Sequence, residues 1–130
     1  MGAFDSLRIA ASGLGMHQTW LDALAHNIAN VNTVRPSDQE AFRAQLVVAE
    51  ARQDGGVRVR EIALSSAEGR MTYQPDHPLA DAQGYVRLPD VDMGDQMSEL
   101  IMAQRGFQAS AQVTKVAQDT YSTAIGIGQR

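Results

Sequence analysis

The chain has 130 residues, 44% of them hydrophobic but only 5% aromatic, with a formal net charge of −4 and no cysteine. That length holds one compact domain, or a small domain on a stalk, with little aromatic bulk for a large core. The acidic balance disfavours tracking a nucleic-acid backbone, and the lack of thiols excludes a thiolate metal site, a redox pair and a catalytic cysteine.

The first predicted element is a helix beginning near Phe4 or Asp5 and running to about residue 30. Leu7, Leu14, Leu21 and Ile28 recur every seventh residue, and Ala11, Leu24 and Ala25 fill the offset position. Such a stripe is the seam of a coiled-coil pairing. Ser12, Gly13 and Gly15 interrupt it, and each glycine weakens an isolated helix by about 1 kcal/mol. They either admit another backbone closely or mark a kink. Asn27, Asn30, Asn32 and Thr33, followed by Pro36, end the helix, since asparagine suits a left-handed turn and proline blocks continuation.

The period then changes. Phe42, Ala44, Leu46 and Val48 alternate with Arg43, Gln45 and Val47, and a less clean alternation covers residues 57–62. Between them Asp54-Gly55-Gly56 is a hairpin turn signal. Ser65-Ser66 and Glu68-Gly69 mark a further turn. Arg70–Tyr73 is expected as a third short strand closed by Pro75 and Pro78, and residues 84–89 as an extended return toward a second helix. A lone hairpin is marginal in water, so this β element should pack on something else.

The second helix is expected to start at Asp92, with Asp95 three residues on and both carboxylates near its positive end. It should reach Gly126 or Gly128. Met93, Met97, Leu100, Gln104, Phe107, Ala111, Thr114, Gln118, Tyr121 and Ile125 alternate steps of four and three along it. The fold class is therefore α+β: long N- and C-terminal helices paired as a coiled-coil-like hairpin, with a small β-hairpin and loop element between them. The division reads as 1–32 plus 91–130 for the paired helices and 33–90 for the middle. No apolar run is long enough for a membrane span, and no cleavable signal peptide is expected.

Sites for chemistry are scarce. His17 and His26 stand nine apart, on different sides of a helix, and Asp22 with His26 at i,i+4 suits a surface ion pair better than a metal site. His77 sits in a Pro-Asp-His-Pro turn whose rigidity accounts for it. The acid pairs Asp90/Asp92 and Asp76/Asp81 lack a core to desolvate them. No catalytic residue, cofactor or metal is expected. Met93, Met97 and Met102 read as core packing rather than as an adaptable groove, and Trp20 is either a partner contact or helix cover.

Three stretches carry a resemblance. Residues 24–33 contain Asn27-Ile28-Ala29-Asn30 and Thr33, similar to the Asn-Ile/Leu-Ala-Asn-x-x-Thr signature that closes the first helix of flagellar rod and hook proteins. Residues 78–92, opening Pro78-Leu79-Ala80-Asp81 and passing through Gly84-Tyr85-Val86, resemble the stretch that marks proximal rod subunits. Residues 102–110 resemble an Arg-x-Tyr-x-Ala-Asn pattern, with Phe107 and Ser110 standing where tyrosine and asparagine are usual. Over almost its whole length the chain thus resembles the flagellar axial protein family, at its basal-body rod branch.

The resemblance implies a structural, non-enzymatic subunit that assembles helically through its terminal helices into a hollow drive shaft joining motor to hook. It implies other copies of itself and neighbouring rod, base and hook-side proteins as partners, and passage through the flagellar export apparatus without a signal peptide. Nucleic acid, small-molecule substrates and membrane insertion are not implied. The residues expected at assembly contacts are Leu7, Leu14, Leu21, Asn27, Ile28, Asn30, Met97, Leu100, Phe107 and Tyr121. The rival readings are a sibling axial protein or a soluble helical export adaptor.

Overall fold

The computed structural model describes residues 2–129. Its elements in chain order are α1 (Ala3–Ala29), β1 (Arg35–Pro36), β2 (Gln45–Ala51), β3 (Val57–Leu64), β4 (Arg70–Tyr73), β5 (Tyr85–Leu88) and α2 (Met93–Gly128). Two long terminal helices pack together and small sheets lie between them in the chain, an α+β fold. Met1 and Arg130, which the expected helical segments included, lie outside the described residues.

Compactness divides the chain into two units, Met1–Leu21 with Val47–Glu61 and Ile101–Arg130, and Asp22–Leu46 with Ile62–Leu100. In the first, α1 and α2 run antiparallel: the rings of Phe4 and Tyr121 lie 4.8 Å apart, Gly13 faces Ser110, and Gly106 faces His17. Ala10 and Ala103 are buried here, Ala103 completely. Small side chains at these crossings let the helices approach closely, which answers the choice left open for Gly13 in favour of approach.

The β2–β3 hairpin closes in the same unit. Arg52 N donates to Gly56 O at 3.1 Å and Gly55 N to Arg52 O at 3.1 Å. Gly55 and Gly56 both take positive φ, 86° and 89°, a conformation glycine adopts without steric cost. The strand β2 starts three residues later than the alternation from Phe42 suggests.

In the second unit β1, β5 and β4 form an antiparallel sheet in that order. β5 is its middle strand, with Thr72 opposite Val86 and Pro36 opposite Val86 on the other side. Its inward residues Val86 and Leu88 are buried. Residues 84–89 are thus not merely a return segment. Leu24, Val31, Ala41 and Ala44 complete this small core.

The helix ends follow their chemistry. Asp92 Oδ1 accepts from Asp95 N at 2.9 Å, an N-cap bond that satisfies one of the free donors of α2. At the end of α1 no asparagine turns left-handed, since no described residue other than glycine has positive φ. Asn30 instead closes the helix with its side chain, donating to His26 O at 2.9 Å and accepting from the Thr33 hydroxyl at 3.2 Å.

Candidate assembly surface

Two polar knots hold the elements on which any assembly surface must be carried. In the first unit Arg8 of α1 reaches the hairpin tip. Its Nη1 donates to Asp54 Oδ2 at 3.0 Å and its Nη2 to Asp54 O at 2.6 Å. Arg52 grips the same carboxylate through Nε at 3.0 Å. The Arg52 hydrogen bond, aided by the charges of Arg52 and Arg8, holds the Asp54 carboxyl below its ordinary value. One turn along α1, Ser12 Oγ accepts from Val57 N at 3.1 Å. The partner that a marginal hairpin needs is therefore α1 of the same chain.

The knot in the second unit is Asn27, buried on the inward face of α1 with 1% of its surface exposed. Its Oδ1 accepts from Gln45 N at 2.8 Å, while its Nδ2 donates to Gln45 O and to Gln96 Oε1, both at 2.9 Å. One amide thus joins α1 to the entry of β2 and to the first turn of α2. Nearby, the Arg87 guanidinium donates to Ser37 O at 2.6 Å and to Glu68 O, bracing the loop after β1 against the turn before β4. Asp81 Oδ1 accepts from Gln83 N and Tyr85 N, each at 2.9 Å. The Tyr85 bond, then the Ser37 hydroxyl, holds this carboxyl below its ordinary value.

The residues expected at assembly contacts are spread over both units. Leu7, Leu14, Leu21, Ile28, Asn30, Leu100 and Phe107 are half-buried, Asn27 is buried, and Met97 and Tyr121 are exposed. Tyr121 packs its ring against that of Phe4 at a tilt of 59°, and Asn27 makes its bonds inside the chain. Sequence reasoning alone does not bring Gly106 and His17 together. A signal exists all the same, since a glycine inside a long helix costs stability unless a neighbour needs its space. His17 Nδ1 lies 2.8 Å from Gly13 O, and the ring fills the gap beside Gly106. Ser110 packs on Gly13, where the larger asparagine of the family pattern would need more room.

One expectation is corrected. The methionines read as core packing are on the surface, with Met93 40%, Met97 44% and Met102 55% exposed. Ile101, Val113, Val116, Ile125 and Ile127 of the same helix are exposed as well. A 36-residue helix turns one face to α1, and a single partner helix covers only one stripe of it. Among the described residues no cluster of three potential metal ligands occurs, and no helix is long and apolar enough to cross a membrane. What these side chains can do is bury apolar surface against other proteins.

Known proteins place this arrangement. Residues 7–36 match the family described as "Flagella basal body rod protein", and residues 82–127 the family described as "Flagellar basal body rod FlgEFG protein C-terminal". The chain is 35% identical over 134 residues to the flagellar basal-body rod protein FlgC of Yersinia enterocolitica, covering 99% of this chain and 100% of that one. It is 33% identical to the protein of that name from Salmonella typhimurium with the same coverage, and 25% identical to that of Bacillus subtilis over 150 residues.

Proposed function

Since this chain belongs to the family of flagellar basal-body rod proteins, we propose that it builds the basal-body rod by helical stacking on copies of itself and on neighbouring rod proteins. It is a structural protein and not an enzyme, and its place is the flagellar basal body. The observation that carries the stacking is the apolar side chains of α2 left exposed in the isolated chain, from Met93 to Ile127. Neighbouring subunits would bury them, as units of other stacked assemblies bury faces they cannot cover alone.

A stack that grows without closing needs two unlike faces on each copy. In this reading the paired helices, 1–32 with 91–130, form the axial core around the export channel, and residues 33–90 lie outside it. Leu7, Leu14, Leu21, Ile28, Met97, Leu100, Phe107 and Tyr121 contribute contacts between helices and between subunits. The export apparatus and the base and hook-side proteins are its further partners.

Leu21→Asp tests the reading. Replacing a leucine in a packed seam costs about 2–5 kcal/mol. The variant should still be exported, but it should be missing from isolated basal bodies, leaving the cells non-motile. Normal motility of that strain would overturn the assignment of Leu21 to the seam.

A further inference from the structure

The β2–β3 hairpin is held at its two ends by knots of opposite character. At its base Gln45 is bonded through both N–H and C=O by Asn27, a neutral amide with 1% of its surface exposed. At its tip Asp54 is gripped by Arg8, and the two side chains are 54% and 39% exposed. Bonds between neutral groups do not respond to ionic strength, whereas exposed ion pairs are screened by it.

The tip sits directly on α1. Gly55 lies against the Ile9 side chain, and a methyl on Gly56 would fall 2.5 Å from Ser12 Oγ. Arg8 also donates to the carbonyls of Asp54 and Gly55, and Ser12 Oγ accepts from Val57 N. A two-stranded hairpin is marginal by itself, so these contacts decide whether the tip stays closed.

Releasing the tip strands no charge. Arg8 Nη2 lies 3.6 Å from Asp5 Oδ1, one turn back on α1. Asp54 keeps Arg52, whose Nε and Nη2 each donate to its carboxylate at 3.0 Å from within the same turn. Each half of the ion pair thus has a second partner on its own side of the break. Ser12 likewise keeps a bond, since its hydroxyl donates to Ile9 O at 2.6 Å. An abandoned charge would make opening costly, and this arrangement avoids one. We propose that the hairpin is a flap, hinged at Gln45 and latched at Asp54 by Arg8, whose tip opens locally as ionic strength rises. Opening of this kind belongs to segments held by exposed polar bonds rather than by buried apolar contacts. An open tip uncovers Ile9 and makes Arg8 and Asp54 available to charged groups of other molecules. The flap is a property of the single chain and stands independently of the rod reading.

Amide hydrogen exchange of the full chain, followed residue by residue by NMR, tests it. Two amides report: Val57 N–H, which donates to Ser12 Oγ, and Gln45 N–H, which donates to Asn27 Oδ1. Raising salt from about 0.1 M to about 1 M shortens the Debye length from about 10 Å to about 3 Å. Measured against the unfolded chain in the same salt, exchange at Val57 should quicken about threefold while Gln45 stays unchanged. Arg8→Ala should quicken Val57 about tenfold at low salt, leave Gln45 alone and abolish the salt response. Arg8→Lys keeps the charge without the fork of donors, so it should fall between and still respond to salt. If Val57 and Gln45 lose protection together, the hairpin opens in one piece and the hinge is wrong. A Val57 amide that ignores salt in the unaltered chain, or is unprotected at low salt, overturns the latch whether or not Arg8→Ala folds. A folded Arg8→Ala chain with Val57 protected as in wild type overturns it as well.

Discussion

The Asn27 side chain takes hold of the Gln45 backbone from both sides, accepting from its N–H at 2.8 Å and donating to its C=O at 2.9 Å. An amide on a helix thereby serves Gln45 as a neighbouring strand would, at the first residue of β2. Its remaining N–H goes to Gln96 Oε1. Every bond is made inside the chain, by an amide that is itself only 1% exposed and so has no water to turn to.

Asn27→Ala should therefore destabilise the second unit by about 1–3 kcal/mol, since it removes the partner of both the N–H and the C=O of half-buried Gln45. Asn27→Asp keeps the acceptor but faces the Gln45 carbonyl and the Gln96 amide oxygen with a carboxylate. That carboxyl should prefer its protonated, donating form, with a folded pKa above the unfolded one. The Asn27→Asp variant should thus be closest to wild type in acid and lose stability as pH rises through the raised value. Urea denaturation of both variants at several pH values checks this, and an Asn27→Ala variant as stable as wild type would refute the knot.

Gly106→Ala should cost about 1–3 kcal/mol, because the added methyl meets the His17 ring. Turning the ring away would break its 2.8 Å contact with Gly13 O. His17→Ala in the same chain should recover most of the loss by emptying the space. A double-mutant cycle on thermal unfolding measures the coupling, and additive effects would mean the ring does not occupy that gap.

Asp81 gives a pH signature. Its carboxyl is held below the ordinary value by the Tyr85 backbone N–H and then the Ser37 hydroxyl. A depressed folded pKa means stability that is present above the unfolded pKa and is lost as pH falls through the folded one. Asp81→Asn should accordingly be less stable than wild type near neutrality and converge with it in acid. The side chain is solvent-exposed, so the difference will be small, and titration of its carboxyl resonance by NMR is the sharper measurement.

Asp92→Ala removes the acceptor for Asp95 N at the start of α2. The loss should be about 1 kcal/mol, whereas Asp92→Ser should retain most of the cap. Circular dichroism melts of the two variants compare them directly.

Much of the fold was legible along the chain. Apolar residues repeating at helical steps over some thirty positions located both helices, and Asp92 marked the start of the second. Asp54-Gly55-Gly56 marked the hairpin because only residues tolerant of positive φ close so tight a turn. These signals are local, set by backbone sterics and side-chain period within a few residues. The stretches at 24–33, 78–92 and 102–110 likewise carried the family as strings of residues.

Other features depended on residues far apart in sequence. Within the extended stretch 84–89, Tyr85–Leu88 became the middle strand because β1 lies on one side and β4 on the other, pairings that no local pattern announces. Asn27 reads locally as a helix ending, yet its partners are Gln45 and Gln96.

The sequence by itself determined the two helices, the hairpin turn, the Asp92 cap of α2 and the family. Only the tertiary structure decided which apolar stripe the chain covers and which it leaves exposed. A helical period records that a face is apolar without naming what will bury it. In this protein small residues, among them Ala10, Gly13, Ala103 and Gly106, claimed the internal contact, because they let the helices come close. Met93, Met97, Val113 and Val116 were left on the surface.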